Sequence, residues 1–165
     1  MRGLNRDGLM MRPNKLGIRR FASHTTGAAA VEFALVGSLL LLLFAGIADF
    51  GHAWYMKQVI TNASREGARY GIIYKTDTNL NRITPSALSP TISSYLLTTY
   101  KLPTLLPADA SPNITVGGAG YTSIVKGDPL EVTVTAMKTW WIVSNLIPGL
   151  GKQKTLKATT VMLIE

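Results

Sequence analysis

The chain of 165 residues contains no cysteine. Disulfides, thiolate metal sites and cysteine nucleophiles are therefore excluded, although this says little about compartment. Histidine is nearly absent: only His24 and His52 occur, one in a basic N-terminal stretch and one beside an apolar run. There is no HExxH motif and no paired-carboxylate cluster. The run Gly117-Gly118-Ala119-Gly120 lacks the Lys-Ser/Thr that completes a P-loop, and it reads better as a hairpin turn. There is no internal repeat. Together these absences predict no enzyme, no metal and no cofactor.

Acidic residues are also few, nine against seventeen Lys and Arg. The resulting net charge of +8 is unevenly placed. Arg2, Arg6, Arg12, Lys15, Arg19 and Arg20 face only Asp7 within residues 1–27, so most of the excess precedes the longest apolar run. A basic tail can bind nucleic acid, but one abutting a hydrophobic segment reads as a topology signal instead. No nucleic-acid partner is expected. The apolar run, Ala28 to Ala48, carries Glu32 as its only charge. As a helix it would extend about 31 Å, against a bilayer core of about 30 Å. The basic flank would stay in the cytoplasm and place the C-terminal part outside.

The helix is expected to continue past the span, because Asp49 to Tyr74 contains no proline. Met56, Ile60, Ala63, Gly67, Tyr70 and Tyr74 recur at steps of three and four, opposite a polar stripe of Gln58, Asn62, Arg65 and Arg69. Trp54 and Tyr55 fall where aromatic rings favour the membrane interface. A polar loop, Thr76 to Arg82, precedes a second helix expected over Ser86–Tyr100, with its start delayed if Pro90 must lie in the first turn. Strands are expected at Asn113–Val116, Tyr121–Val125, Glu131–Ala136 and Thr155–Ile164. Trp140-Trp141-Ile142 and Leu146-Ile147 form an apolar, aromatic loop, readable as core packing or as a docking site. The fold class is α+β: a long N-terminal helix, half transmembrane and half amphipathic, packed on a second helix and a small antiparallel sheet. The divisions are a leader at 1–27, a span at 28–48, an amphipathic extension at 49–75 and an external domain at 76–165.

Glu32 requires an explanation, because a carboxylate in an apolar span is costly. It can snorkel to the nearby edge. Alternatively, a cut after Gly27 would give Ala28 a free ammonium group. The Glu32 of one subunit could then pair with the Ala28 of its neighbour, offsetting both desolvation costs and setting the axial register.

Gly27 followed by small residues, then Glu32-Phe33 and a leucine-rich span, resembles the processing site of prepilins of the Flp/Tad class. Ala63-Ser64-Arg65-Glu66-Gly67-Ala68-Arg69-Tyr70 resembles the Ala-x-Arg-Glu-Gly-Ala-Arg signature of TadE-like minor pseudopilins. The likeness covers residues 27–71, and the span departs from many relatives in having Gly37-Ser38 where they carry a proline. It implies a pseudopilin cut between Gly27 and Ala28 by a prepilin peptidase. Glu32 and Phe33 would serve assembly and register, and Arg65, Glu66, Gly67, Ala68 and Arg69 would form the signature. Implied partners are that peptidase, other pilins and pseudopilins, the assembly platform and the lipid bilayer. The implied place is the bacterial inner membrane, with the external domain periplasmic or extracellular and incorporation into the filament left open. In that setting the glycosylation-like Asn62-Ala63-Ser64 and Asn113-Ile114-Thr115 are chance matches.

Within the signature, Glu66 is expected to pair with Arg69 three residues on, and Gly67 suggests a close backbone contact. Two rival readings remain. Phe33 to Ile47 could be a secretory core, with Gly46-Ile47-Ala48 offering small residues to signal peptidase. An uncleaved signal anchor is the other.

Overall fold

The computed structural model describes residues 25–147, Gly149 and residues 151–165. The basic leader, apart from its last residues, and His24 lie outside them. The chain divides into two units, residues 1–38 and 39–165. In the first, the described residues belong to the opening turns of helix α1 (Thr25–Ile72), and their side chains from Gly27 on are exposed except at the half-buried Gly37. Ser38 Oγ donates to the Leu35 carbonyl at 2.9 Å, a local bond that satisfies a hydroxyl in an apolar run.

In the second unit α1 passes Gly46 and Gly51 without interruption. A short 3-10 turn (Pro85–Ala87) follows, then helix α2 (Ile92–Ser94), which continues as a π-helical stretch over Tyr95–Thr99. Helix α3 (Leu102–Leu105), strand β1 (Asn113–Gly117), strand β2 (Pro129–Thr139), helix α4 (Val143–Leu146) and strand β3 (Gln153–Leu163) complete the order. The sheet is antiparallel throughout, ordered β1-β2-β3, with Ile114 opposite Val134 and Val134 opposite Ala158.

The α+β reading and the helix-on-sheet arrangement hold, with local differences. Helix α1 ends at Ile72, short of position 75, and Tyr74 is exposed beyond it. The second helix begins only at Ile92, where the Thr91 hydroxyl accepts from the Ser94 amide at 3.2 Å. Pro85 and Pro90 confine the preceding residues to a separate turn. Residues 121–125 do not form a strand. Gly118 has φ +89°, and Ala119–Tyr121 is a 3-10 turn packed against the start of β2. A Cβ on Gly118 would collide with the Pro129 carbonyl oxygen. The glycines therefore permit a close approach of backbones, not a hairpin between two strands.

The core is built from the face of α1 that the spacing predicts. Met56, Ile60, Ala63 and Tyr70 are buried with Leu88, Ile92 and Leu96 and with Val132 and Val134 of the sheet. Gln58, Asn62, Arg65 and Arg69 are exposed. The buried Ser64 hydroxyl on that face is satisfied: Ser64 Oγ donates to the Thr61 carbonyl and lies 2.7 Å from Thr160 Oγ1 on β3, which must then donate to it. Strand β2 alternates strictly, burying Leu130, Val132, Val134, Ala136 and then Lys138.

Candidate functional site

Three sites emerge from the residues upward. The first is the stretch from Gly27 to Phe33 in the opening turns of α1. Gly27, Ala28, Glu32 and Phe33 are all exposed, Phe33 at 79%. Nothing within this chain partners the Glu32 carboxylate among the described residues. The apolar stretch that follows is equally uncovered, and the helix is long and apolar enough to cross a membrane.

The second site is the Arg65–Arg69 segment, carried near the C-terminal end of α1. It divides by face. Gly67 and Ala68 are buried, whereas Arg65 and Arg69 are exposed. Glu66 does not pair with Arg69. Its Oε1 accepts from the Tyr95 hydroxyl of the π-helical stretch at 3.0 Å. Tyr95 stacks on Tyr70 with centroids 4.0 Å apart and planes 4° from parallel. The Glu66 bond, then burial, push the Tyr95 phenol above its ordinary range. Tyr70 in turn donates to the Pro90 carbonyl at 2.8 Å. Gly67 makes the expected close contact, but with side chains and not with backbone. A Cβ there would lie 2.8 Å from Leu96 Cδ1 and 3.2 Å from Val132 Cγ1. Gly71, one turn on, is tighter still, overlapping Leu130 Cδ2 and lying 2.8 Å from Ile92 Cδ1. The signature thus reads as the place where α1 receives α2 and the sheet, with two arginines left outward.

The third site was not anticipated. Asp49 follows directly on the apolar run and is buried to 1% exposure. Its Oδ2 accepts from the amides of Ile142 at 2.9 Å and Val143 at 3.1 Å, and its Oδ1 from that of Trp141 at 3.1 Å. Lys138 Nζ, fully buried, lies 3.3 Å from Oδ1 and donates to the Thr139 carbonyl at 2.6 Å. The Lys138 ammonium also faces the rings of Trp141 at 4.8 Å and Trp140 at 5.1 Å. Burial alone would raise the Asp49 pKa, but the three amides and Lys138 outweigh it and hold the carboxyl at about 2. A signal existed in the sequence: the two-residue period of β2 puts a lysine on the core face at 138. Its partner was not readable, because Asp49 lies 89 residues away.

No group of three or more His, Asp or Glu residues able to hold a metal occurs among the described residues. What the fold and these sites define is an α+β protein carried on a long apolar N-terminal helix, compatible with a single-pass membrane anchor, whose distal half is the spine of the core. Residues 27–69 match the model of the TadE-like protein family. Over that segment the chain is similar to TadE-like proteins. The match opens at Gly27 and closes at Arg69, so it encloses both the glutamate-bearing span and the arginine signature. No curated protein and no solved structure matches the chain.

Proposed function

We propose that the protein is a minor pseudopilin of a Tad/Flp-type pilus, cut after Gly27 by a prepilin peptidase. It would contribute to assembly, priming or tip structure in a pilus used for adhesion or secretion. The observation that carries this reading is the coincidence of the family match with the two motifs at its ends. Residues 1–27 are then a removed leader, residues 28–48 the span, and the rest an external body without enzymatic activity. The exposed Glu32 supports the same reading, since it finds no partner within its own chain among the described residues and is free to meet the new N-terminus of a neighbour. Such pairing would lower the cost of both charges in the bilayer and align adjacent helices. The peptidase, the other pilins and pseudopilins and the assembly platform are the partners this role requires. The small residues Ala28 to Ala30 permit close helix approach. The N-terminus faces the cytoplasm and the domain lies on the other side of the inner membrane.

The test is Glu32→Ala in the pilus-bearing cell. The variant should remain in the membrane at ordinary abundance while pili are lost. Normal piliation would contradict an assembly role for Glu32.

A further inference from the structure

The membrane-proximal end of the external domain carries a surface that the pilus reading does not use. Strands β2 and β3 are joined by an excursion beginning at Trp140, and the Trp140 amide closes its base by donating to the Lys152 carbonyl at 2.9 Å. The excursion is tied to α1 at one height. Asp49 accepts three of its consecutive amides, Phe50 meets the Trp140 ring at a centroid distance of 5.4 Å, and His52 stacks on Trp141 at 4.8 Å. Residues 49–52 immediately follow Ala48, the last residue of the apolar run. At about 1.5 Å per residue they lie within about 6 Å of its end along the helix axis. The headgroup layer on each side of a bilayer is itself about 5–7 Å thick. The excursion is thus held at headgroup level by the residue next to the span.

Its outward chemistry suits that level. Trp141 is 59% exposed, and Ile142 and Ile147 are exposed beside it. On α1, Phe50 and Trp54 are exposed one turn apart on the same side of the helix. Amphipathic aromatic rings favour the interface, and aliphatic side chains gain by entering the acyl boundary. The return of the excursion carries Lys152 and Lys154, both exposed, at the base where cations would meet lipid phosphates. A buried carboxylate so near anionic headgroups is screened by its three amides and Lys138, so Asp49 can hold the excursion without facing the lipid.

We infer that the Trp140–Ile147 excursion is a second membrane contact, seated in the headgroup layer of an anionic phospholipid bilayer through Trp141, Ile142 and Ile147. It gives the external domain a fixed orientation on the membrane, where a single helix alone would leave it free to swivel. This rests on the reading of residues 28–48 as a membrane span.

The absence of cysteine makes single-site spin labelling direct. Four single variants of the full chain are labelled in nanodiscs of phosphatidylcholine and phosphatidylglycerol: Leu41→Cys in the span, Ile142→Cys and Ile147→Cys in the excursion, and Thr78→Cys in the loop after α1. Collision with lipid-soluble oxygen is compared with collision with a water-soluble nickel chelate. The expected result is oxygen-favoured collision at 41, 142 and 147 and nickel-favoured collision at 78. If 41 favours oxygen while 142 and 147 behave like 78, the span stands and the membrane contact is overturned. The contact is also overturned if 142 and 147 are shielded from both reagents in a manner that depends on protein concentration, since a second copy would then cover the excursion. If 41 favours nickel, the span reading fails and the contact falls with it.

Discussion

Asp49 and Lys138 form a buried ion pair, 3.3 Å apart, between the first residue after the apolar run and the penultimate residue of β2. The carboxylate is held by four donors, whereas the ammonium has one carboxylate, one carbonyl and two aromatic faces. Removing the acid therefore orphans more than removing the base.

Asp49→Ala should destabilise the α+β domain by about 3–5 kcal/mol, since it leaves three amides and a buried cation without their acceptor. Lys138→Met should cost less, because the carboxylate keeps its three amides. Adding Lys138→Met to Asp49→Ala should recover part of the loss. Thermal unfolding of the three variants in detergent micelles, followed by circular dichroism, checks the order.

Acid should act through the same residue. The folded Asp49 carboxyl is held at about 2, below its ordinary value of 3.8. A depressed folded pKa contributes stability that is fully present above about pH 5 and is lost as pH falls through 3.8 toward 2. The melting temperature should fall across that window. The Asp49→Asn variant, already weakened, should show a flatter dependence between pH 5 and pH 2.

The glycines of α1 should rank by their contacts. Alanine would gain about 1 kcal/mol in helix propensity at either position. Overpacking costs about 1–3 kcal/mol. Gly71→Ala meets Leu130 and Ile92 together and should lower the melting temperature clearly. Gly67→Ala presses on the flexible end of Leu96 and more mildly on Val132, so its loss should be smaller. A rise in melting temperature for Gly67→Ala would refute the close contact.

Much of this was legible because local periodicity and packing agree. The three-and-four spacing of Met56, Ile60, Ala63, Gly67 and Tyr70 marked the buried face of α1, and the alternation of Val132 and Val134 marked the central strand. The candidate processing stretch and signature were readable as motifs. What was not legible depended on distant partners or on backbone geometry. Spacing alone pairs Glu66 with Arg69, but Tyr95, 29 residues away, supplies a hydroxyl to it. Tyr121–Val125 had strand-like composition, yet the positive φ of Gly118 turns the chain away from a fourth strand. The role of Asp49 depends on Trp141, Ile142 and Val143, which only the fold brings to it.

The Glu66–Tyr95 bond predicts an alkaline limit. Hydrogen bonding to Glu66 and burial raise the folded Tyr95 pKa above the ordinary 10.0. Stability from this bond is fully present below about pH 10 and is lost as pH rises through the raised value. Tyr95→Phe should cost about 1 kcal/mol near neutral pH. Glu66→Gln should let Tyr95 ionise at lower pH. Ultraviolet absorbance titration of the tyrosinates, compared between wild type and Glu66→Gln, reads the shift.

The cut after Gly27 is the step on which the pseudopilin role turns, because only that cut supplies Glu32 with an ammonium partner. N-terminal sequencing of the membrane-bound protein from its own cell tests it directly. The predicted first residue is Ala28. A first residue of Asp49 would mean release by signal peptidase, and an intact Met1 would mean a plain anchor; either contradicts the pseudopilin reading.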